Sequence, residues 1–292
     1  MKKLFLASAS VLTLISACTK EVEVADRAGI LQKFSGSEDE VLDIGIERLT
    51  TTLPQELGGQ TIVANVMREG ISEELPAGFI EGAVVVTFAQ VAEAMINGGE
   101  TTQIGEGMGA FITGEIGVLT SDSDAENIIG AIYTQGSGED MVGVAIMPGI
   151  SEEEGIMVFA AGTEVSEMPA TGEFNYEGAN FAIEFLEGEN GADEHIGSFN
   201  ATVDFAAGEG SIGLDFENEL LYIDGDFTVD TATGIFVGDK LEMKSIGFFD
   251  TATIHGNFHG DGATGMTGIY TQNGEEPDFI GAIAGHQVLV VQ

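Results

Sequence analysis

The chain has 292 residues, 43% of them hydrophobic, with 49 acidic side chains against 9 basic ones and a formal charge of −40 at pH 7. That hydrophobic content excludes a disordered chain. There is no lysine or arginine between Arg68 and Lys240, which excludes a nucleic-acid surface, because phosphate contacts need basic side chains, and docking of the body on anionic lipid; what remains is a solubilising coat that attracts basic partners.

Residues 1–17 form an export leader. Lys2 and Lys3 precede an apolar run from Leu4 to Ile15, and Ile15-Ser16-Ala17-Cys18 has the form of a lipobox. The run is too short to span a bilayer as a stable helix. Cys18 is the only cysteine, so it is expected to become an acylated N-terminus, held at a membrane without crossing it. No disulfide then supports the fold. Losing Lys2 and Lys3 takes the charge from −40 to −42. Residues 18–40 are polar and mixed in charge and are expected to act as a flexible tether.

From 41 to 165 the pattern predicts a β-rich lobe, either an open handle-like sheet or a small barrel. Its predicted strands are Asp43–Thr51, Thr61–Met67, Phe79–Ala89, Gly107–Leu119, Asn127–Gln135, Met141–Met147 and Gly155–Ala161. Gln90–Ile96 alone reads as helical, and Asn97-Gly98-Gly99 stops it. Met168-Pro169 marks the expected domain boundary.

Residues 169–292 predict an antiparallel barrel of eight strands. Phe174 and Tyr176, then Phe181, Ile183 and Phe185, then Phe199, Ala201, Val203 and Phe205 are expected on one face. Ile212, Leu214 and Phe216, then Leu221, Ile223, Phe227 and Val229 continue it, with polar residues such as Asn200, Thr202, Asp204, Asp215 and Glu217 between them. One apolar and one polar face per strand is what a barrel with a filled interior requires. An echo links the halves: Ile132-Tyr133-Thr134-Gln135 recurs as Ile269-Tyr270-Thr271-Gln272, each followed by a glycine-bearing strand. Upstream, Ile112-x-Gly114-x-Ile116 parallels Ile254-x-Gly256-x-Phe258, so each half is expected to end in the same three-stranded element.

Chemistry-bearing patterns are few. His255 and His259 share a strand face but stand roughly 13 Å apart, too far for one metal ion, and their alternation with Ile254 and Phe258 predicts surface histidines. An axial haem ligand from one of them, or from a loop tyrosine, stays open. Asp224, Asp226 and Asp230 lack the calcium-loop spacing and read as a solvated strand edge and turn. Gly105-x-Gly107-x-Gly109 follows no βαβ unit, no nucleophile elbow occurs, and the lone cysteine is taken up by processing. The sequence therefore predicts no enzyme, no resident cofactor and no metal site.

The closing stretch, Thr251 to Gly285, carries a strand of form Gly-x-Phe-x-Gly (Gly256 to Gly260), then Gly268-Ile269-Tyr270, then Phe279-Ile280-Gly281-Ala282. Asp261-Gly262 and Asn273-Gly274 supply hairpin turns. This pattern resembles the end of the β-barrel domain of the transferrin-binding protein B family. It departs from that family at Thr271-Gln272, where a Gly-Pro pair is common. The family comprises bacterial surface lipoproteins, with haem- and complement-factor-binding relatives, in which a handle domain precedes the barrel. The resemblance implies an outer-membrane, surface-exposed lipoprotein that binds a host or environmental protein, or haem, beside a TonB-dependent receptor. A structural or shielding lipoprotein with no specific ligand is the alternative. Three polar, glycine-bearing segments are the expected binding loops: Gly136 to Glu139, Gly188 to Glu194 with Glu189, Asp193 and Glu194, and Asn273 to Glu276 with Glu275. Mass spectrometry of the mature protein is expected to find diacylglycerol on Cys18; an intact Met1, or cleavage beyond Cys18, overturns the anchor.

Overall fold

The computed structural model describes residues 46–52, 59–69, 102–105, 108–113, 116–120, 128–135, 140–148, 156–185, 192–216, 221–245, 248–273 and 279–288. The predicted strand Phe79–Ala89, the predicted helix Gln90–Ile96, the leader with Cys18 and the tether lie outside them. The chain groups into two compact units, Met1–Thr134 with Val144–Phe159, and Gln135–Gly143 with Ala160–Gln292.

An eight-stranded sheet comes first, made of β1 (Ile46–Thr52), β2 (Thr61–Glu69), β3 (Thr102–Gly105), β4 (Met108–Thr113), β5 (Ile116–Thr120), β6 (Ile128–Gln135), β7 (Val142–Pro148) and β8 (Ile156–Thr163). Its order is β1-β2-β8-β7-β6-β5-β4-β3. Ile62 to Met67 of β2, Val142 to Ile146 of β7 and Met157 to Thr163 of β8 are buried without alternation. Such runs belong to strands covered on both faces. The predicted strand Gly107–Leu119 is a hairpin instead: Thr113 pairs with Ile116 across β4 and β5. The upstream half of the internal echo therefore fails, because Ile112-x-Gly114-x-Ile116 turns a corner while Ile254-x-Gly256-x-Phe258 runs straight through one strand. The downstream half holds. Ile132–Gln135 ends β6 before β7, as Ile269–Gln272 ends a barrel strand before the next.

The second sheet is a closed barrel of β9 (Glu173–Phe185), β10 (Ala192–Asp204), β11 (Glu209–Phe216), β12 (Leu221–Asp230), β13 (Ile235–Ser245), β14 (Phe248–His259), β15 (Gly265–Gln272) and β16 (Phe279–Val288). Every neighbouring pair is antiparallel, and β9 closes the ring by pairing with both β10 and β16. The interior is filled by Tyr176, Phe199, Val203, Phe205, Leu214, Phe227, Phe236, Ile254, Phe258, Tyr270 and Phe279, all almost fully buried. Phe205 packs edge-on against Phe174 and Phe258, with ring centres 5.4 and 5.1 Å away. Rings this large fit because glycine faces three of them across the ladder. Phe236 pairs with Gly256, Phe227 with Gly210 and Tyr270 with Gly281. A Cβ on those glycines would lie 2.0, 2.3 and 2.2 Å from the facing ring. The in-strand glycines are thus seats for aromatic neighbours, which restores the cross-strand contact a glycine otherwise forfeits.

One end of the barrel is tied by a repeated turn. In Asp204 to Gly208 and in Asp230 to Gly234, the glycine is left-handed (φ 69° and 71°) and its N–H donates to the aspartate carbonyl at 2.9 and 2.8 Å. The aspartate carboxylates accept from the turn amides of Ala206 and Ala232. The Thr233 hydroxyl, then the Ala232 amide, hold the Asp230 carboxyl below its usual range. The carbonyls of Gly172, Gly208, Gly234 and Gly260 then accept from the N–H groups of Phe205, Val229, Phe258 and Ser166, at 2.8–3.3 Å. Each turn is thereby bonded to a neighbouring segment. Left-handed φ at these glycines (69° to 116°) is strained for residues with a Cβ.

Two expectations about faces are corrected. Phe181 and Ile183 do not share a face with Tyr176, because all three stand on one continuous strand, β9, at odd and even positions. They point outward and are nonetheless buried. His255 and His259 are not surface histidines: 9% and 0% of their surface is exposed. Their outward direction is as alternation predicts, but the outer faces of β14 from Thr253 onward, of β15 up to Thr271, and of β16 from Ile280 to Ala284 are buried too. The His259 imidazole donates from Nδ1 to the Thr163 carbonyl (3.1 Å) and accepts at Nε2 from the Thr267 hydroxyl (2.7 Å). Gly162 lies so close that a Cβ there would come 2.6 Å from the ring.

Replacing Phe205 by alanine removes a ring from the centre of the aromatic cluster and is expected to cost about 3–5 kcal/mol. Denaturant unfolding measures it; a loss under about 1 kcal/mol, the scale of an ordinary surface change, overturns this packing.

Candidate binding rim

The barrel's two ends differ. The turns joining β10 to β11, β12 to β13 and β14 to β15 are the tied ones. The connections from β9 to β10, β11 to β12, β13 to β14 and β15 to β16 emerge at the other end. There the inward-facing positions are partly polar. His195 donates from Nε2 to Glu184 Oε2 at 2.9 Å, with 13% and 45% of the two side chains exposed. The imidazole sits on an aromatic floor, 5.7 Å from the Phe279 ring and 6.1 Å from Phe216. Across the mouth, the Gln272 amide donates to Asp250 Oδ2 at 2.6 Å. Below, the Tyr270 hydroxyl donates to Asn180 Oδ1 at 2.6 Å. Complete burial pushes that phenol well above its ordinary pKa, and the bond to Asn180 offsets only part of the shift.

This arrangement provides carboxylates and an amide above a filled aromatic core. It suits recognition of cations and hydrogen-bond donors, and it is a rim over a packed interior. Among the described residues no group of three or more histidines, cysteines or acidic residues is arranged to hold a metal ion.

Of the expected site residues, Asp193, Glu194 and Asn273 lie among the described ones. Asp193 and Glu194 are strand residues, paired with Glu184 and Ile183, so the expected loop Gly188 to Glu194 ends at Ala192, where β10 begins. The apolar end of β9 draws its polar partner into the ladder. Asn273 follows β15, and its side chain is engaged by the barrel itself. Its amide donates to Thr251 Oγ1 (3.0 Å), and its carbonyl oxygen accepts from the Thr253 hydroxyl (2.6 Å). Gly136, Glu139, Glu189, Glu275 and Glu276 lie outside the described residues. Asp140, next after Glu139, is bonded to the tied end: the Thr264 hydroxyl donates to its carboxylate at 2.7 Å, and His286 Nε2 donates to its carbonyl. Asp193, Glu194 and Asn273 belong to the opposite end.

Glu184, His195, Asp250 and Gln272 were not among the expected site residues. Strand parity was the available signal, since His195 stands four residues from Phe199 on the same side.

No family model matches the chain, and no curated protein matches it. Among solved structures, a transferrin-binding protein B mutant from Haemophilus parasuis is 12% identical, covering 84% of this chain and 52% of that one, with a TM-score of 0.47. A different transferrin-binding protein B mutant, from Actinobacillus pleuropneumoniae, is 13% identical over 50% of this chain and 75% of its own, with a TM-score of 0.37. A protein described as a surface lipoprotein is 11% identical, covering 84% of this chain and 99% of its own, with a TM-score of 0.39. The chain thus spans about half of the Haemophilus protein. These are likenesses of strand architecture, and the closed barrel stands on its own pairing.

Asn273→Ala is expected to lower stability by about 0.5–1.5 kcal/mol, because it removes the side-chain bonds to the hydroxyls of Thr251 and Thr253. Thermal melts check this. Combining it with Thr253→Val should cost less than the sum of the single changes, since both break one bond.

Proposed function

We propose that this chain is a lipid-anchored, outer-membrane surface lipoprotein whose barrel binds a protein partner at the rim opposite the tied turns. The filled interior carries the reading. With Phe279, Phe216 and Tyr270 packed beneath the mouth, the described barrel residues leave no chamber for a buried ligand, so recognition falls to rim and loops on a rigid scaffold. Charge narrows the partner. From residue 169 onward there are two lysines, Lys240 and Lys244, and no arginine. The acidic rim repels the propionates of haem and attracts a basic protein surface, so a protein partner is favoured over haem. A TonB-dependent receptor beside it would take up what the partner carries. The shielding alternative rests on the acidic coat alone and requires no particular arrangement at the rim.

The test joins partner capture to charge neutralisation. A partner recovered from the organism's natural medium should associate more slowly as salt rises. Glu187→Gln, Glu189→Gln, Asp193→Asn and Glu194→Gln together should slow association about tenfold at low salt, with the melting temperature unchanged. A partner whose association ignores both salt and this variant overturns recognition by the acidic rim.

A further inference from the structure

Just outside that rim, the barrel's outer wall carries two exposed aromatic side chains. Phe249, at the start of β14, is 81% exposed, and Tyr222, at the start of β12, is 37% exposed. They belong to one cross-strand row. Asp215 pairs with Tyr222, Tyr222 with Lys244, and Lys244 with Phe249, across β11 to β14. By alternation all four face outward. Single exposed apolar residues are ordinary. Two aromatics flanking one lysine in a single register row are a different arrangement.

The details prepare the row for contact. The Tyr222 ring lies back over Gly213, whose Cβ, if present, would come 2.7 Å from the phenol oxygen; the notch in the neighbouring strand holds the ring against the sheet. Lys244 is neutralised from both sides. Its ammonium binds Glu242 Oε2 at 2.8 Å and Asp224 Oδ1 at 2.9 Å, and these bonds, Glu242 first, hold it well above its ordinary pKa. The centre of the row is therefore formed by two rings and a lysine whose ammonium is already ion-paired. Around it stand Asp215, Asp224, Asp226 and Glu242. An aromatic centre within a charged rim is the anatomy of a protein-binding hot spot.

We propose that the row Tyr222–Lys244–Phe249 is a docking strip for a basic protein surface, one that presents arginine or lysine among aliphatic side chains. The occupant follows from charge complementarity. Asp215 and Asp226, which are not the partners of Lys244, receive the cations, the ring faces accept a guanidinium or an ammonium, and the pairing of Lys244 with Asp224 and Glu242 weakens its repulsion of them. The proposal rests on the binding-module reading and adds a defined place on the wall, distinct from the rim.

The probe is a synthetic peptide alternating arginine and leucine, titrated calorimetrically into the full mature protein at about 0.15 M salt, where loose surface attraction is largely screened. Tyr222→Ser with Phe249→Ser leaves the charge unchanged and is expected to weaken binding about tenfold. Glu173→Gln with Glu209→Gln, exposed at the tied end, removes two charges and is expected to change affinity less than about twofold. Circular dichroism melts should be unaltered by either pair. Equal affinity for the aromatic variant and the wild type overturns the strip, as does an equal loss from the remote charge variant. The rim reading fails separately, through association kinetics with a natural partner in the quadruple acidic variant.

Discussion

The structure depends on filling a narrow cylinder with side chains that are too large for it. An eight-stranded barrel leaves room for packed side chains and little else. Here nine aromatic residues of the core cluster enter that space. They fit because Gly210, Gly256 and Gly281 leave room for the rings of Phe227, Phe236 and Tyr270 across the ladder. Glycine in a strand usually weakens it. In these pairs the lost side-chain contact is made instead by the partner ring, so strand weakness and ring volume offset one another. The same solidity removes the interior as a ligand chamber.

The two ends divide the remaining tasks. At one end, four left-handed glycines give their carbonyls to neighbouring segments, and two aspartates bind the amides of their own turns. Their polar groups are spent on the scaffold. Tyr176 adds to this by donating to the carbonyl of Ala263 at 2.6 Å, which pins the one described non-glycine residue with left-handed φ. At the other end, Glu184 and Asp250 keep carboxylate oxygens at a mouth floored by Phe216 and Phe279. Rigidity at one end and accessible acceptors at the other suit a platform whose contacts form without rebuilding the barrel.

Much of the barrel was legible because alternation is a local signal. Phe199 to Phe205, Ile212 to Phe216 and Leu221 to Val229 stand where their period places them. Alternation failed where it was read in separate pieces. Phe174-x-Tyr176 and Phe181-x-Ile183 look like two strands of one face, but the intervening Glu177 to Asn180 continue the same strand and shift the parity. The buried histidines illustrate a second limit. Period fixes direction, and His259 does point outward; whether an outward side chain meets water is a tertiary fact. The strand sequences held a hint, since Ile269, Ile280, Ala282 and Ala284 make the outer face of β15 and β16 unusually apolar. The turn repeat Asp-x-x-x-Gly was also present at Asp204 and Asp230, and its left-handed glycines are a known turn signal. The binding rim was the least legible. Composition marks polar loops, whereas Glu184, His195, Asp250 and Gln272 lie on different strands and meet only when the ring closes.

Charge density bears on where such a surface can discriminate. A chain with so many carboxylates attracts any basic protein at long range, and that attraction is not selective. Selectivity needs short-range complementarity that a smooth acidic coat lacks. On the described outer wall, apolar relief occurs where Tyr222 and Phe249 flank the neutralised Lys244, and Ile196 adds a further exposed position on β10. Screening by salt removes the long-range term first and leaves ring contacts nearly unchanged. The coat is therefore suited to setting the encounter rate, and the aromatic relief to setting the lifetime of the complex. Strand parity places Tyr222 and Phe249 outward on β12 and β14, so their rings are available for contact on the wall while the interior stays filled.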